Sequence, residues 1–186
     1  MDYEGFKAAV YKLTTIDLSA YKEQQMKRRI DTLITRRKIS GYEDFVKPHN
    51  SDRDLYEEFV SYITINVSEF FRNPDQWKLM DEVFIPELIG KFGKDLKVWS
   101  AACSTGDEPY SLVMALSRHI PLSGIKVIAT DLDKQVIAQA KTGIYSEKSV
   151  AGVPDDLKNK YFTKIGSSYK ISDEIKSRVE FRQHNL

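Results

Sequence analysis

Val98-Trp-Ser-Ala-Ala-Cys-Ser-Thr-Gly-Asp-Glu-Pro-Tyr-Ser111 is the stretch on which the fold turns. The apolar run Leu96-Lys-Val-Trp-Ser100 reads as a short strand that ends in small residues, Ala101 to Gly106. A helix then begins at Asp107-Glu108-Pro109, where acids and proline favour a first turn. Downstream, Ile125-Lys-Val-Ile-Ala-Thr130 reads as a second strand ending at Asp131, and Lys134 to Lys141 as a second helix stopped by Gly143. Strand, helix, strand, helix in that order predicts a right-handed parallel α/β unit. Arg178-Val-Glu-Phe-Arg182 reads as a third core strand. Between them, Asp155 to Lys160 suggests one or two helical turns, and Tyr161–Ile165 and Tyr169–Ile171 flank Gly166-Ser-Ser like a hairpin. An open α/β sheet needs more parallel strands than these to cover its helices, so either the fold is unusually small or, the favoured reading, the sequence is a fragment of a longer chain.

Upstream the pattern is helical. Phe6, Val10 and Leu13 recur at helical spacing over residues 2–14, and Asp17 and Ser19 offer caps for a second helix running to about Lys38. Its apolar stripe is Met26, Ile30, Leu33 and Ile34. Lys22, Arg29 and Arg36, seven apart, draw a basic line along one flank. A short helix is expected over 42–47, and another from the cap Ser51 to Ile63, burying Leu55, Phe59 and Tyr62. A longer one runs from Pro74 to Lys91 with Trp77, Met80, Phe84 and Leu88 on one side, kinked or split at Pro86.

Composition narrows the class. The 186 residues carry 28 Lys+Arg against 27 Asp+Glu, are 41% hydrophobic and hold one cysteine. Disordered tails, collagen-like fibres and disulfide scaffolds are excluded. Cys103 has no partner for an internal bridge, the Met1 end has neither basic nor apolar signal character, and no stretch approaches the roughly 18 apolar residues that span a bilayer. A soluble, cytoplasmic protein is expected. The balanced total hides an asymmetry: seven bases and two acids between Lys22 and Lys38 give that segment +5 and leave −4 elsewhere. Such a block suits an acidic partner surface, although a solvated helix face is the commoner origin of a charge run. Its flank lacks aromatics for base stacking, so no nucleic acid is expected.

Three constellations bear on chemistry. The Ala101–Gly106 loop has one glycine where a dinucleotide fold would carry three, and its carboxylates Asp107 and Glu108 would repel a phosphate yet suit a cationic ligand. A tight turn with helix-stabilising acids reads equally well. Asp131, 25 residues after Gly106, is placed to accept from ribose hydroxyls, or Asp131 or Asp133 merely caps the next helix. Together they favour a cationic nucleoside without phosphates, which S-adenosylmethionine satisfies. In Asn66-Val-Ser-Glu-Phe-Phe-Arg72, Phe70 and Phe71 can anchor a loop while Arg72 fixes a carboxylate; a plain linker is the alternative. His49, His119 and His184 make no metal-ligand pattern, Cys103 reads as packing, and no G-x-S-x-G is present.

These features, in order, resemble the CheR-type chemotaxis protein-glutamate O-methyltransferases. The resemblance rests on Ile65-Asn-Val-Ser-Glu-Phe-Phe-Arg72, Val98 to Ser111, Ile128-Ala-Thr-Asp-Leu-Asp133, Gly143-Ile-Tyr145 and His184-Asn-Leu186, and covers nearly the whole chain. It implies an α/β protein: an N-terminal all-helical receptor-recognition domain with its linker over 1–72, then a Rossmann-like S-adenosylmethionine-dependent methyltransferase domain over 73–186. A small β-hairpin insertion is expected around 144–178. It implies methyl transfer to glutamate side chains of chemoreceptors, with S-adenosylhomocysteine as product and no metal. By motif, Asn66, Ser68 and Arg72 would line the cofactor site, Glu108 would meet the methionine end, Asp131 the ribose, and Asn185 with Leu186 the adenine. Arg72 would be catalytic. Lys22, Lys27, Arg28, Arg29 and Arg36 would bind the acidic helical methylation region of the receptor, the enzyme acting as a monomer without membrane insertion. Family members continue beyond this point with an Asn-Val-Met-Ile-Tyr-Phe-like strand, and some hold a receptor's C-terminal peptide on the inserted sheet. The alternatives are a receptor-binding module without catalysis, or a methyltransferase of the same fold acting on RNA or a small molecule.

Overall fold

A computed structural model describes residues 1–47, 53–64 and 68–186. It divides into two units, one over residues 1–64 and one beginning at residue 68. In the first, α1 (Tyr3–Thr14), α2 (Glu23–Arg36), α3 (Tyr42–Val46) and α4 (Arg53–Ile63) pack around Phe6, Ile30, Leu33, Phe45, Phe59 and Ile63, all fully buried. Each such side chain stabilises the fold by about 1.5–3 kcal/mol. Phe45 bridges the layers, its ring 5.8 Å from Phe6 and 5.5 Å from Phe59. The predicted stripe of α2 is buried throughout, whereas Leu13 is exposed and Tyr62 is half-buried, with Val60 and Ile63 inside instead. Asp17 caps only a short 3-10 turn, Leu18–Ala20, by accepting from the Ser19 N–H at 2.8 Å. The long helix starts after Lys22 without a side-chain cap. The expected cap Ser51 lies outside the described residues.

The second unit opens with a helix in three parts: α5 (Pro74–Leu79), a π-turn over Met80–Phe84, and α6 (Ile85–Phe92). Pro86 has no N–H and its ring crowds the preceding turn, which widens rather than breaks. Widening changes the phase of the buried face. Trp77 and Met80 still face the core, but Ile85 and Ile89 replace the expected Phe84 and Leu88, which are exposed.

The parallel sheet has the order β1-β2-β6, from β1 (Val98–Ala101), β2 (Val127–Asp131) and β6 (Val179–Gln183). Val98 pairs with Val127, and Val127 with Val179. β2 is the central strand and is buried along almost its whole length, as a strand covered on both faces must be. α7 (Asp107–Leu116) and α8 (Lys134–Thr142) follow β1 and β2. A separate antiparallel sheet has the order β3-β5-β4, from β3 (Ile144–Ser146), β4 (Phe162–Ile165) and β5 (Ser168–Ile171). The hairpin was expected. β3, at three residues, is too short to show a period. α9 (Asp155–Tyr161) and α10 (Asp173–Lys176) complete the unit. Among the described residues no helix is long and apolar enough to cross a membrane.

Candidate active site

The loop after β1 is held by backbone. Cys103 N–H donates to the Thr130 carbonyl at 2.8 Å, tying the loop to β2, and Gly106 N–H donates to the Cys103 carbonyl at 3.0 Å. Ala102 (φ 56°) and Ser104 (φ 47°) are left-handed, which costs about 1–2 kcal/mol for each non-glycine residue. Gly106 is required where it stands: its φ is 88°, and a β-carbon there would lie 2.8 Å from that of Ala140 on α8. The loop is thereby pressed back onto α8. Glu108, on the first turn of α7, is exposed and accepts from Ser100 Oγ at 2.7 Å.

The segment 68–73 is anchored by its phenylalanines. Phe70 sets its ring edge-on to Tyr145 at 4.7 Å and Phe162 at 5.3 Å, and Phe71 meets Trp77 at 5.0 Å. Phe70 N–H donates to the Ser149 carbonyl at 3.2 Å, and Phe71 N–H to Ser111 Oγ at 3.1 Å. Phe71 (φ 51°) and Asn73 (φ 61°) are also left-handed. Backbone strain of this kind gathers at ligand sites when the surroundings enforce it.

These two segments face one cleft of about 520 Å³, well within the few hundred to 1,000 Å³ or so of small-molecule sites. Ser68, Glu69, Arg72 and Asn73 line it from one side, and Ala102, Cys103, Ser104 and Glu108 from the other. Trp77, Met80, Trp99 and Leu112 supply apolar wall, and Gln76 an amide. Trp99 is held in place by its indole N–H, which donates to Thr130 Oγ1 at 2.9 Å. Two carboxylates and one guanidinium therefore border a partly aromatic cavity.

Of the residues singled out from sequence, Ser68, Arg72 and Glu108 meet in this cleft. Asn66 lies outside the described residues. Asp131 is buried one layer behind the cleft wall: Oδ2 accepts from Ser104 N–H at 2.8 Å and Oδ1 from Asp133 N–H at 3.0 Å. Asp133, not Asp131, caps α8 by accepting from Gln135 N–H at 2.8 Å. Asn185 and Leu186 are exposed beyond β6 and do not line the cleft. Gln76 and Trp99 were not singled out, and Trp77 and Met80 were assigned only to the core. Gln76 and Met80 sit four apart on one helix, and Trp99 alternates with Val98 on β1, so period alone could have found them.

Burial pushes the Cys103 thiol up to about 12, with the Asp131 charge adding to the effect, so it is a protonated wall residue and not a nucleophile. Among the described residues no His, Cys, Asp and Glu cluster could hold a metal ion.

In the helical unit the basic face of α2 is split. Arg29 lies over the Tyr62 ring at 5.1 Å and donates through Nε to the Tyr62 carbonyl at 3.1 Å. Arg36 lies over the same ring at 5.0 Å, and it and Arg37 pair with Glu58. Lys27 sits 5.7 Å from the Tyr3 ring. Lys22 and Arg28 are exposed. Packing of α2 on α4 thus draws two members of the expected basic line into internal contacts.

Residues 66–186 match the family described as CheR methyltransferase, SAM binding domain, and residues 1–64 match CheR methyltransferase, all-alpha domain. The chain is similar to the chemotaxis protein methyltransferases of Listeria innocua serovar 6a and Listeria monocytogenes serovar 1/2a. Each is 37% identical over 185 residues, covering 100% of this chain and 71% of the relative. Chemotaxis protein methyltransferase 2 of Vibrio cholerae serotype O1 is 30% identical over 194 residues, covering 100% of this chain and 67% of the relative.

Proposed function

The chain belongs to the CheR methyltransferase family, and from that premise we propose that it transfers methyl from S-adenosylmethionine to glutamate side chains of chemoreceptors in the cytoplasm, forming methyl esters. The observation that carries this reading is the cleft in which Arg72, Glu69 and Glu108 face one another beside Trp77 and Trp99. The donor combines a sulfonium, an ammonium, a carboxylate and an adenosine. Two carboxylates and one guanidinium complement the charges of its amino-acid end, and indole walls suit a flat base. A pyrophosphate ligand would instead meet Glu108 at the start of α7 and be repelled.

When bound, the donor supplies a methyl group already activated by its sulfonium. Glu108 would hold the ammonium, fixed by its bond from Ser100. Ser68 and Arg72 would line the methionine end, and Asp131 would accept from the ribose with the lone pairs its two backbone bonds leave free. By resemblance, Asn66 would join them, and Asn185 with Leu186 would reach the adenine from outside the cleft lining. A glutamate side chain is ionised near pH 7, so no general base is needed. Catalysis rests on alignment and on stripping water from the carboxylate, and Arg72 is the group that orients a carboxylate there. We assign receptor recognition to the helical unit, with Lys22, Lys27 and Arg28 as the face offered and Arg29 and Arg36 supporting it.

Calorimetric titration with S-adenosylhomocysteine tests the site, and transfer of base-labile label from the donor to receptor fragments, with RNA as control, tests the substrate. Label on RNA alone, or unchanged turnover and donor affinity in Arg72→Ala, would remove this reading.

A further inference from the structure

Asp107 is completely buried, yet it forms no ion pair with any described residue. A carboxylate in that position is tolerated only when hydrogen bonds replace its water. Its oxygens are not spent on the helix it begins, for the N-cap of α7 is Gly106 and makes no side-chain cap. They are taken by two hydroxyls, one from the preceding loop and one from a distant segment. Thr105 Oγ1 donates to Oδ2 at 2.6 Å, and Ser149 Oγ to Oδ1 at 2.9 Å.

Two routes lead from Asp107 to the cleft, one through Ser149 and one through its own carbonyl. Ser149 is the residue whose carbonyl accepts Phe70 N–H, at 3.2 Å. The Asp107 carbonyl accepts from Ser111 Oγ at 2.7 Å, and that hydroxyl in turn accepts Phe71 N–H at 3.1 Å. The two amides immediately before Arg72 are thus held from one residue, one through its side chain and one through its main chain. Asp107 is also the neighbour of Glu108. We infer that Asp107 is a positioning residue whose buried carboxylate, through Ser149, holds the Arg72-bearing segment at a fixed distance from the Glu108 end of α7. Its bearing on the donor rests on the function proposed above; the clamp itself does not.

An asparagine at 107 keeps the shape but offers one acceptor oxygen, so it cannot accept from both hydroxyls. Amide hydrogen exchange by NMR on the unliganded chain reads the consequence. In Asp107→Asn the Phe70 amide should exchange at least about tenfold faster, while the Phe71 amide and the Val127 amide of the parallel sheet keep their rates. Ser111→Ala should do the reverse, releasing Phe71 and sparing Phe70. S-adenosylhomocysteine affinity should fall about tenfold in Asp107→Asn. An unchanged Phe70 rate, or equal acceleration of Phe70 and Val127, would overturn the inference, the second outcome marking a merely global loss of stability. If Asp107→Asn does not fold, Ser149→Ala removes the same link and must release Phe70, or the inference fails. Absence of ligand binding by the unmutated chain would strike the proposed function and leave the exchange result to decide the clamp.

Discussion

Gly152 lies directly against the Phe70 carbonyl: a β-carbon there would stand 2.6 Å from that oxygen. The neighbour is backbone, so it has no rotamer in which to give way. Gly152→Ala should therefore push the 68–73 segment out of register, destabilising the chain by about 1–3 kcal/mol. It should also weaken S-adenosylhomocysteine binding at least about tenfold. A thermal melt beside a calorimetric titration checks both. Unchanged affinity would mean that the segment is not part of the ligand site.

Gly106 is constrained twice, by its left-handed backbone and by the side chains of Ala140, Tyr145 and Phe181 around it. Strain and overpacking add, and Gly106→Ala should lose about 2–4 kcal/mol. Urea unfolding followed by circular dichroism measures this. A loss below about 0.5 kcal/mol would contradict the geometry.

Cys103 should be silent in the folded chain. With its thiol pushed up to about 12, the thiolate fraction at pH 8 is roughly a thousandfold or more below that of a free cysteine. Labelling with a thiol reagent should proceed only after denaturant is added. Prompt reaction in native buffer would refute the burial.

Asp81 predicts an acid limb to stability. Burial would raise its carboxyl, but hydrogen bonds from His119 and Arg118 outweigh burial and hold it below the usual range. A depressed folded-state value gives stability that is present above the unfolded value, about 3.9, and lost as pH falls through the folded one. Asp81→Asn should therefore melt lower than the parent near pH 7, by an equivalent of at most about 1 kcal/mol for so exposed a pair. The two melting curves should converge as pH falls through the depressed folded-state value. A gap that persisted there would deny the charge its role.

Arg28 and Arg29 are adjacent and should behave oppositely. Arg29→Ala loses the Tyr62 ring and carbonyl contacts and should cost about 1–2 kcal/mol of stability. Arg28→Ala should stay within about 0.5 kcal/mol while weakening binding to receptor fragments. Equal effects on stability would show that the face is not divided as described.

Much of this was legible in the sequence. The parallel unit could be read because β1 and β2 each present an apolar run closed by small or acidic residues, and β6 alternates Val179 and Phe181 with charged residues. The cleft could be read in part, because Arg72 and Glu108 stand in motifs whose neighbours, Phe70-Phe71 and Ala101 to Gly106, announce an anchored loop and a close turn. The phase of the helix after Met80 was hidden, since the π-turn shifts the buried face from Phe84 and Leu88 to Ile85 and Ile89 and no local residue marks that shift except Pro86. Hidden too was Asp107, which in sequence resembles any acid on a first turn. Only the fold brings Ser149 to it, 42 residues away.

Asp131 receives its two amide donors when the chain folds, from Ser104 and Asp133. On the proposed function, a ribose would meet at this carboxylate an acceptor whose direction is already set, with no rotamer left to search. Association should accordingly follow a single fast phase whose rate climbs in proportion to ligand concentration, without the plateau that a slow isomerisation imposes.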